Sequence, residues 1–425
     1  MKTKASLSRR TFLRKAARAG AALAVPSIVP ASALGRGGAA APSERVVLGG
    51  IGINHRGAYV LGFFLPRPDV QFVAVCDVRA DRREAVKAMA DARYGNRDCA
   101  TYRDLRDLLA REDIDAVLIA TGDRWHTVAS VLAARAGKDV YSEKPCAIAI
   151  DQCRALAEAM RRHARIFQAG TQRRNVGNFR FAVELARSGK LGPLRRLHAS
   201  IYRLGVRHDW LPAQPEPPKE VVDWDLWLGP APWRPYNAEY VAGGWRGHFD
   251  FDSGAKLLDW GAHTVDLCQW ALGADGTAPV EYEPRGETIY ARYANGVELV
   301  MRPDGWLGLG TCPVRFEGEE GWVETGDTGR IEAEPRSLLA GRADFGEDGV
   351  SPENHVRDFV ECVKTRARPA TDAEVARSSH VACHAAAIAW QLGRRAVFDP
   401  AREEFAGDEE ANRMRSRALR EPWRL

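Results

Sequence analysis

The chain has 425 residues, 45% apolar and 28% charged, enough to bury a large core in two domains and unlike the composition of a disordered chain. No apolar run reaches the roughly eighteen residues of a membrane span, so no span is expected in the folded part. The formal charge of +5 does not point to nucleic acid: residues 1–33 carry seven Lys or Arg and no acid, and removing those seven leaves 54 basic residues against 56 acidic ones, a net −2.

Ser8-Arg9-Arg10-Thr11-Phe12-Leu13-Arg14, a small apolar stretch over 16–29 and Ala31-Ser32-Ala33 occur in the order of a twin-arginine export signal. The expectation is a signal over 1–33, a Gly/Ala/Pro linker over 34–44, and transport of an already folded protein to the periplasm. Eight cysteines are spread without a C-x-x-C pair, which argues against a zinc ribbon or redox dithiol and leaves disulfides unassigned.

From residue 45 the pattern alternates. Strands are expected over 45–50, 70–76, 115–121 and 139–141, with helices over 57–65, 81–93 and 126–136. This predicts a parallel sheet covered by helices on both faces, a nucleotide-binding domain over 45–169. Its first turn, Gly52-Ile53-Asn54-His55-Arg56-Gly57, fits G-x-G-x-x-G except at Asn54, and Asp77 lies twenty residues after Gly57 at the end of the next strand. In that setting backbone amides face a pyrophosphate and Asp77 accepts ribose hydroxyls; a glycine turn without a ligand fits the same letters. Asn54 is expected to keep the turn because asparagine tolerates a left-handed backbone. Asp77 favours NAD, while Arg79, Arg82 and Arg83 leave NADP open. Glu143-Lys144-Pro145 closes the run 139–142. Proline holds the preceding residue extended, so Lys144 is expected to project from a strand end, where an ammonium group can polarise an oxygen; an isolated Lys-Pro is otherwise a surface loop.

After Gly170 the alternation stops. A helix over 178–188, a strand over 194–204 and short β-rich segments at 287–293, 296–302, 314–318 and 321–324 predict an α+β domain over 170–400, followed by a tail over 401–425. If 259–272 is a helix stopped by Gly273, then Asp259, His263 and Asp266 share one stripe. Imidazole suits proton transfer near neutral pH and a carboxylate one turn away can orient it, although a surface ion pair or a core histidine explains the same spacing. Eight of the twelve tryptophans lie between Trp210 and Trp306, among Gly, Pro, Asp and Arg, which suits sugar rings and equally suits core packing or a subunit contact. His248, Asp250, Asp252 and His263 lack a recognised ligand spacing, so no metal is expected.

Together, the Gly52 turn with Asp77, Glu143-Lys144-Pro145 and Asp259-x-x-x-His263 resemble the glucose-fructose oxidoreductase, inositol dehydrogenase and MocA family over about residues 45–425. Gly170-Thr171-Gln172-Arg173 and the tail ending Arg420-Glu421-Pro422-Trp423 are similar to exported members. The resemblance implies an α/β Rossmann domain followed by an α+β domain whose open, mainly antiparallel sheet makes homo-oligomer contacts, in a dimer or tetramer. It implies NAD held by Gly52, Asn54, His55, Arg56, Gly57, Asp77, Thr121, His126, Glu143, Lys144 and Gln172. Lys144 would sit near the nicotinamide and the substrate hydroxyl, His263 would be the general acid or base, and Asp259 would hold the substrate. In Ala120-Thr121-Gly122-Asp123-Arg124-Trp125-His126 this chain has Gly122 and Asp123 where members usually carry Pro and Asn.

The implied activity is NAD(P)-dependent oxidation of a secondary hydroxyl on a sugar or cyclitol. Export implies a cofactor carried along, held tightly and restored in the site. Restoration follows either from reduction of a second carbonyl compound or from a redox-neutral, NAD-dependent glycoside hydrolysis. A sugar-binding relative without turnover is the remaining alternative.

Overall fold

The computed structural model describes residues 41–303, 306–341 and 351–425, so the expected export signal and most of the linker lie outside the described residues. Pro42–Glu44 make one short 3-10 turn.

Six strands form the first sheet: β1 (Val46–Ile51), β2 (Val70–Cys76), β3 (Ala100–Tyr102), β4 (Ala116–Ile119), β5 (Asp139–Ser142) and β6 (Phe167–Ala169), in the spatial order β3-β2-β1-β4-β5-β6. All its pairings are parallel. Helices α1 (His55–Phe64), α2 (Ala80–Tyr94), α3 (Leu105–Leu109), α4 (Asp123–Arg135) and α5 (Ile150–Arg162) connect them. β4 and β5 are buried at every residue, as a strand covered on both faces must be. The strand order reverses between β1 and β4, and the crevice beyond their carboxyl ends is where such sheets bind ligands.

A 3-10 turn (Gln172–Asn175) and α6 (Gly177–Arg187) lead into a nine-stranded sheet ordered β13-β12-β11-β7-β10-β9-β8-β14-β15. Its strands are β7 (Leu194–Ile201), β8 (Glu281–Arg285), β9 (Thr288–Arg292), β10 (Glu298–Pro303), β11 (Val314–Gly318), β12 (Trp322–Thr325), β13 (Ile331–Glu334), β14 (Ala396–Asp399) and β15 (Glu404–Phe405). Only β7 and β10 pair in parallel; the others are antiparallel. Between β7 and β8 lie α7 (Trp224–Leu228), a π-type turn (Tyr240–Gly244) and α8 (Leu257–Leu272); α9 (Glu353–Thr365), α10 (Ala373–Leu392) and α11 (Glu409–Arg413) follow the sheet's core.

The sequence boundary at 170 marks where the sheets change but not where the cores do. Val356, Phe359, Val360 and Val363 of α9 bury themselves with Phe64 and Tyr141 in the nucleotide half. α10 packs on both α5 and α8. The expected tail is also structured: it supplies β15 and α11, and Trp423 is buried edge-on against Trp125, 4.7 Å between rings. The apolar stripes of these late helices are too wide for the second sheet alone and are satisfied by the first. Among the described residues no helix is long and apolar enough to cross a membrane.

Three histidines from these late helices grip the ends of the parallel strands. His355 Nε2 lies 2.8 Å from Ala169 O, His380 Nε2 accepts from Cys146 N at 3.0 Å, and His384 Nε2 donates to Ala147 O at 3.1 Å. Burial pushes the His355 and His380 imidazoles down to about 4; His384 falls to about 3, with Arg417 and His380 adding to burial. A histidine kept neutral in the fold stabilises above its free value near 6.5 and loses that contribution as pH falls towards the folded value. Buried Asp77, Asp123 and Asp252 are pushed up and act in the opposite sense, so the test is a difference. The unfolding free energy gap between wild type and His384→Gln should narrow from pH 6.5 to 3 by up to about 1.4 kcal/mol per pH unit. A gap constant over that range in denaturant titrations would refute the role.

Candidate active site

β1 ends at Gly52, where φ is +69°; a Cβ there would stand 2.4 Å from Thr121 Cγ2 and 2.9 Å from its Cα. The left-handed position is thus Gly52. Asn54, expected to be left-handed, is instead extended (φ −144°, ψ 168°) and its side chain makes no capping bond. The first amides of α1 are therefore left free for an anion. Gly52, Asn54, His55 and Arg56 line a cavity of about 600 Å³. Gly57 does not line it. A Cβ at Gly57 would lie 2.7 Å from Ala120 Cβ, so this glycine serves close packing of α1 on the end of β4 and not ligand contact.

Asp77 lines the same cavity, and its Oδ1 accepts from Arg79 N at 2.9 Å. Burial pushes its carboxyl up to about 6 against that bond and the charges of Arg82, Arg79 and Arg83, which leaves it mostly ionised at pH 7 and able to accept ribose hydroxyls. Arg79 is engaged by Asp81 (2.5 Å), and Arg83 donates to the carbonyls of Asp77 (2.6 Å) and Glu220 (3.3 Å). An uncapped helix start and an acid at the end of the next strand fit a dinucleotide.

Thr121 and His126 also line the cavity. The His126 ring is clamped, with Nδ1 2.5 Å from Pro145 O and Nε2 3.1 Å from Thr121 O. Burial holds this imidazole below its ordinary value, so it carries one N–H and donates to one of these two carbonyls, between the loop after β4 and the loop after β5. Glu143 accepts from Arg56 Nε (3.4 Å) and Lys144 N (3.3 Å). With the Gln172 amide turned so that its nitrogen faces Gly170 O (2.8 Å), its oxygen accepts from Arg56 (2.9 Å) and Arg173 (3.2 Å), and these side chains brace one wall.

Lys144 leaves the end of β5 and crosses to the second half. Its Nζ donates to Asp259 O at 2.6 Å, lies 3.9 Å from Asp259 Oδ1 and sits 5.7 Å over the Trp260 ring. Asp259 and His263 are one turn apart on α8, and Lys144, Trp260 and His263 line the cavity. His263 Nδ1 makes no hydrogen bond, so neither carboxylate orients it: Asp259 is shared by Lys144 and Arg246 (3.6 Å), and Asp266 is held bidentately by Arg174 (2.7 and 2.8 Å). Burial, then Arg173, Lys144 and Arg56, keep His263 well below the ordinary imidazole value, hence neutral at pH 7.

Arg246, Trp245, Thr311 and Asp327 complete the wall. They come from three separate loops, Trp245 and Arg246 sharing one, and no spacing in the sequence marks them. The tryptophan-rich segment divides by position. Trp224, Trp227 and Trp245 form a buried cluster with Tyr240 and Phe251, Trp260 faces the cavity, and Trp210 and Trp233 are exposed. His248 and Asp250 turn to Arg234 (3.3 and 2.8 Å) and Asp252 to Lys256 N (2.7 Å), away from His263.

The segment 205–245 also straps the nucleotide half. Ala80 N donates to Val221 O (3.0 Å), Asp223 N to Val78 O (3.0 Å), Trp125 Nε1 to Leu226 O (3.0 Å) and Arg124 Nη2 to Trp227 O (2.6 Å). Leu226, Trp227, Val241 and Ala242 thereby become cavity wall.

Two family models match this layout: an oxidoreductase family NAD-binding Rossmann fold over residues 45–171, and an oxidoreductase family C-terminal alpha/beta domain over 205–425. The chain belongs to the glucose-fructose oxidoreductase, inositol dehydrogenase and MocA family. NAD is the cofactor of its Rossmann domain. A glycosyl hydrolase family 109 protein of Saccharopolyspora erythraea is 38% identical over 175 residues, covering 37% of this chain and 38% of that one. Inositol 2-dehydrogenase of Salmonella typhimurium is 30% identical over 241 residues, 56% of this chain and 58% of that one. Both matches span less than two thirds of those relatives. In fold, the WlbA dehydrogenase of Bordetella pertussis, solved with NADH and UDP-GlcNAcA, superposes with a TM-score of 0.62 at 19% identity, covering 84% of this chain and 98% of that one.

Gly52→Ala should cost on the order of 1–3 kcal/mol, because the left-handed backbone and the Thr121 contact both resist a Cβ. It should also lower the nucleotide recovered per chain. Unchanged denaturation midpoint and nucleotide content would show that the turn tolerates a side chain.

Proposed function

We propose that this protein is an NAD-dependent oxidoreductase of a secondary hydroxyl on a sugar or cyclitol, holding its cofactor through turnover and restoring it in the same cavity. The observation that carries this is the meeting of the Lys144 ammonium and the neutral His263 imidazole, one from each half, in the cavity that the start of α1 and Asp77 also line. Bound NAD would supply the hydride acceptor. The residues supply the rest. Oxidation needs the hydroxyl proton to leave as charge develops on oxygen, and Lys144 stabilises that charge, an effect commonly worth on the order of 10² to 10³ in rate. His263, kept neutral by burial and neighbouring cations, is a weak base, so it takes the proton only from a hydroxyl that Lys144 has already acidified. Trp260 offers a flat apolar face to the C–H side of a ring.

Retention of the cofactor is supported by the strap, since its wall at Leu226, Trp227 and Val241 lies against the nucleotide end and is pinned there from both sides. Export in the folded state, as the twin-arginine motif suggests, would carry the cofactor into the periplasm, where free NAD is scarce. The second reading is the redox-neutral glycoside hydrolase, favoured by the 38% identical family 109 segment.

Protein washed free of small molecules and then denatured should release close to one dinucleotide per chain by mass spectrometry; none would overturn the oxidoreductase reading. Lys144→Ala and His263→Ala should each retain nucleotide but lose at least about 100-fold of the sugar-dependent absorbance of reduced nicotinamide. Wild-type rates in either variant would remove that residue. Aglycone released from aryl glycosides without added NAD would select the hydrolase.

A further inference from the structure

Oxidation of a hydroxyl makes no use of the Asp123 carboxyl in this cavity. Asp123, the first residue of α4, is buried at 4% exposure and lines the cavity. Its Oδ2 accepts from Ser253 N at 3.2 Å. Among the described residues its carboxylate has no ion pair: Lys144 and Arg246 face Asp259, Arg124 gives Nε and Nη2 to Trp227 O with its Nη1 left unpaired, and Arg417 donates to the carbonyls of Phe249 and Asp252. The charges acting on it are Asp259 on α8, Lys144 after β5, and Arg246 and Asp252 in the loop before α8, with its neighbour Arg124 and Arg417 of the tail. Burial and the Asp259 charge push its carboxyl up to about 6, so it passes between acid and carboxylate near neutral pH.

We propose that Asp123 is a second acid–base residue of this site, one that protonates the departing oxygen when a glycosidic bond is cleaved next to a transiently oxidised carbon. The proposal rests on the second reading above. An oxidoreductase that only exchanges hydride has no use for a third proton carrier, and burying an unpaired carboxyl costs stability. Cleavage by elimination does need one.

In a glycoside bearing a ketone two carbons from the anomeric carbon, the intervening C–H is acidic. Its proton passes to a base of the site, and the C–H electron pair becomes the C=C bond. The anomeric C–O bond breaks, and the leaving oxygen takes the Asp123 proton. Water then bonds to the anomeric carbon of the enone, giving its proton to the Asp123 carboxylate, while the protonated base returns its proton to the neighbouring carbon. The sum is hydrolysis with no net oxidation, and Lys144 polarises the ketone oxygen in both directions.

The cleavage step is tested apart from hydride transfer by supplying ketones that are already oxidised. Methyl and 4-nitrophenyl 3-ketoglucosides are given to the nucleotide-containing protein, and release of methanol and of nitrophenol is measured for wild type, Asp123→Asn and Asp123→Ala. Methanol release should fall about 100-fold or more in both variants, and nitrophenol release by less than about 10-fold, because nitrophenoxide leaves without a proton. Formate should restore methanol release in Asp123→Ala, where it replaces the lost carboxyl. Nucleotide content equal to wild type shows that the variants are folded. Equal slowing on both leaving groups, or none, overturns the role and leaves Asp123 a packing residue. A wild type that is reduced by free sugars but cleaves neither keto-glycoside overturns this proposal and the hydrolase reading, and leaves the oxidoreductase reading standing.

Discussion

The ammonium of Lys144 bonds to the carbonyl of Asp259 at 2.6 Å, and through that bond the two halves of the molecule agree on the position of the cavity. The partners are 115 residues apart, one at the end of a parallel strand and one in the first turn of a helix packed on the other sheet. In a site shielded from water a charged donor to a carbonyl is short and strong, and its geometry passes directly to His263, one turn further along α8. A shift of either element would separate the cation from the base. The surrounding structure resists such a shift from several directions. His380, His384 and Ser253 grip residues 146 and 147, and Arg174 fastens the turn after β6 to Asp266 in the middle of α8.

These buried charges are weak sources of stability, because removing each from water costs much of what the pairing returns. Their effect is on position. Arg173 with Asp327 (2.8 Å) and Arg174 with Asp266 (2.7 Å) fix consecutive residues of one short turn to two different elements of the second half. The turn cannot rotate without stripping a guanidinium of its partner in a dry environment. Arg173 also lowers the basicity of His263, so one of the groups that order the site helps set its proton affinity.

The strap shows how the second half contributes to nucleotide binding without being part of the Rossmann fold. Its carbonyls at Val221, Leu226 and Trp227 are satisfied by Ala80, Trp125 and Arg124 of the first half, so its backbone can lie across the crevice with its polar groups paired. Trp227 covers the Arg124 guanidinium at 3.6 Å, and the buried aromatic cluster behind it supplies the apolar anchorage.

Sequence periodicity determined much of this protein. The alternating segments from residue 45 marked the parallel sheet, with β2 correct to the residue, as β11 is in the second sheet, and Gly52, Asp77, Lys144 and His263 all fell on the cavity wall. These were legible because each depends on local chemistry: a positive φ, a residue fixed by proline, or a helical repeat. Roles that depend on a partner far along the chain were not legible. Asp266 shares a helical face with His263 yet is claimed by Arg174, Gly57 packs a helix closely on the end of β4, and His126 sits between the carbonyls of Thr121 and Pro145. Thr311, Asp327 and the strap with Arg246 reach the cavity from separate loops. Spacing along a chain reports which residues can share a face, and only the packed structure decides which of several competing partners each buried polar group takes, because that choice is made by desolvation and contact across elements.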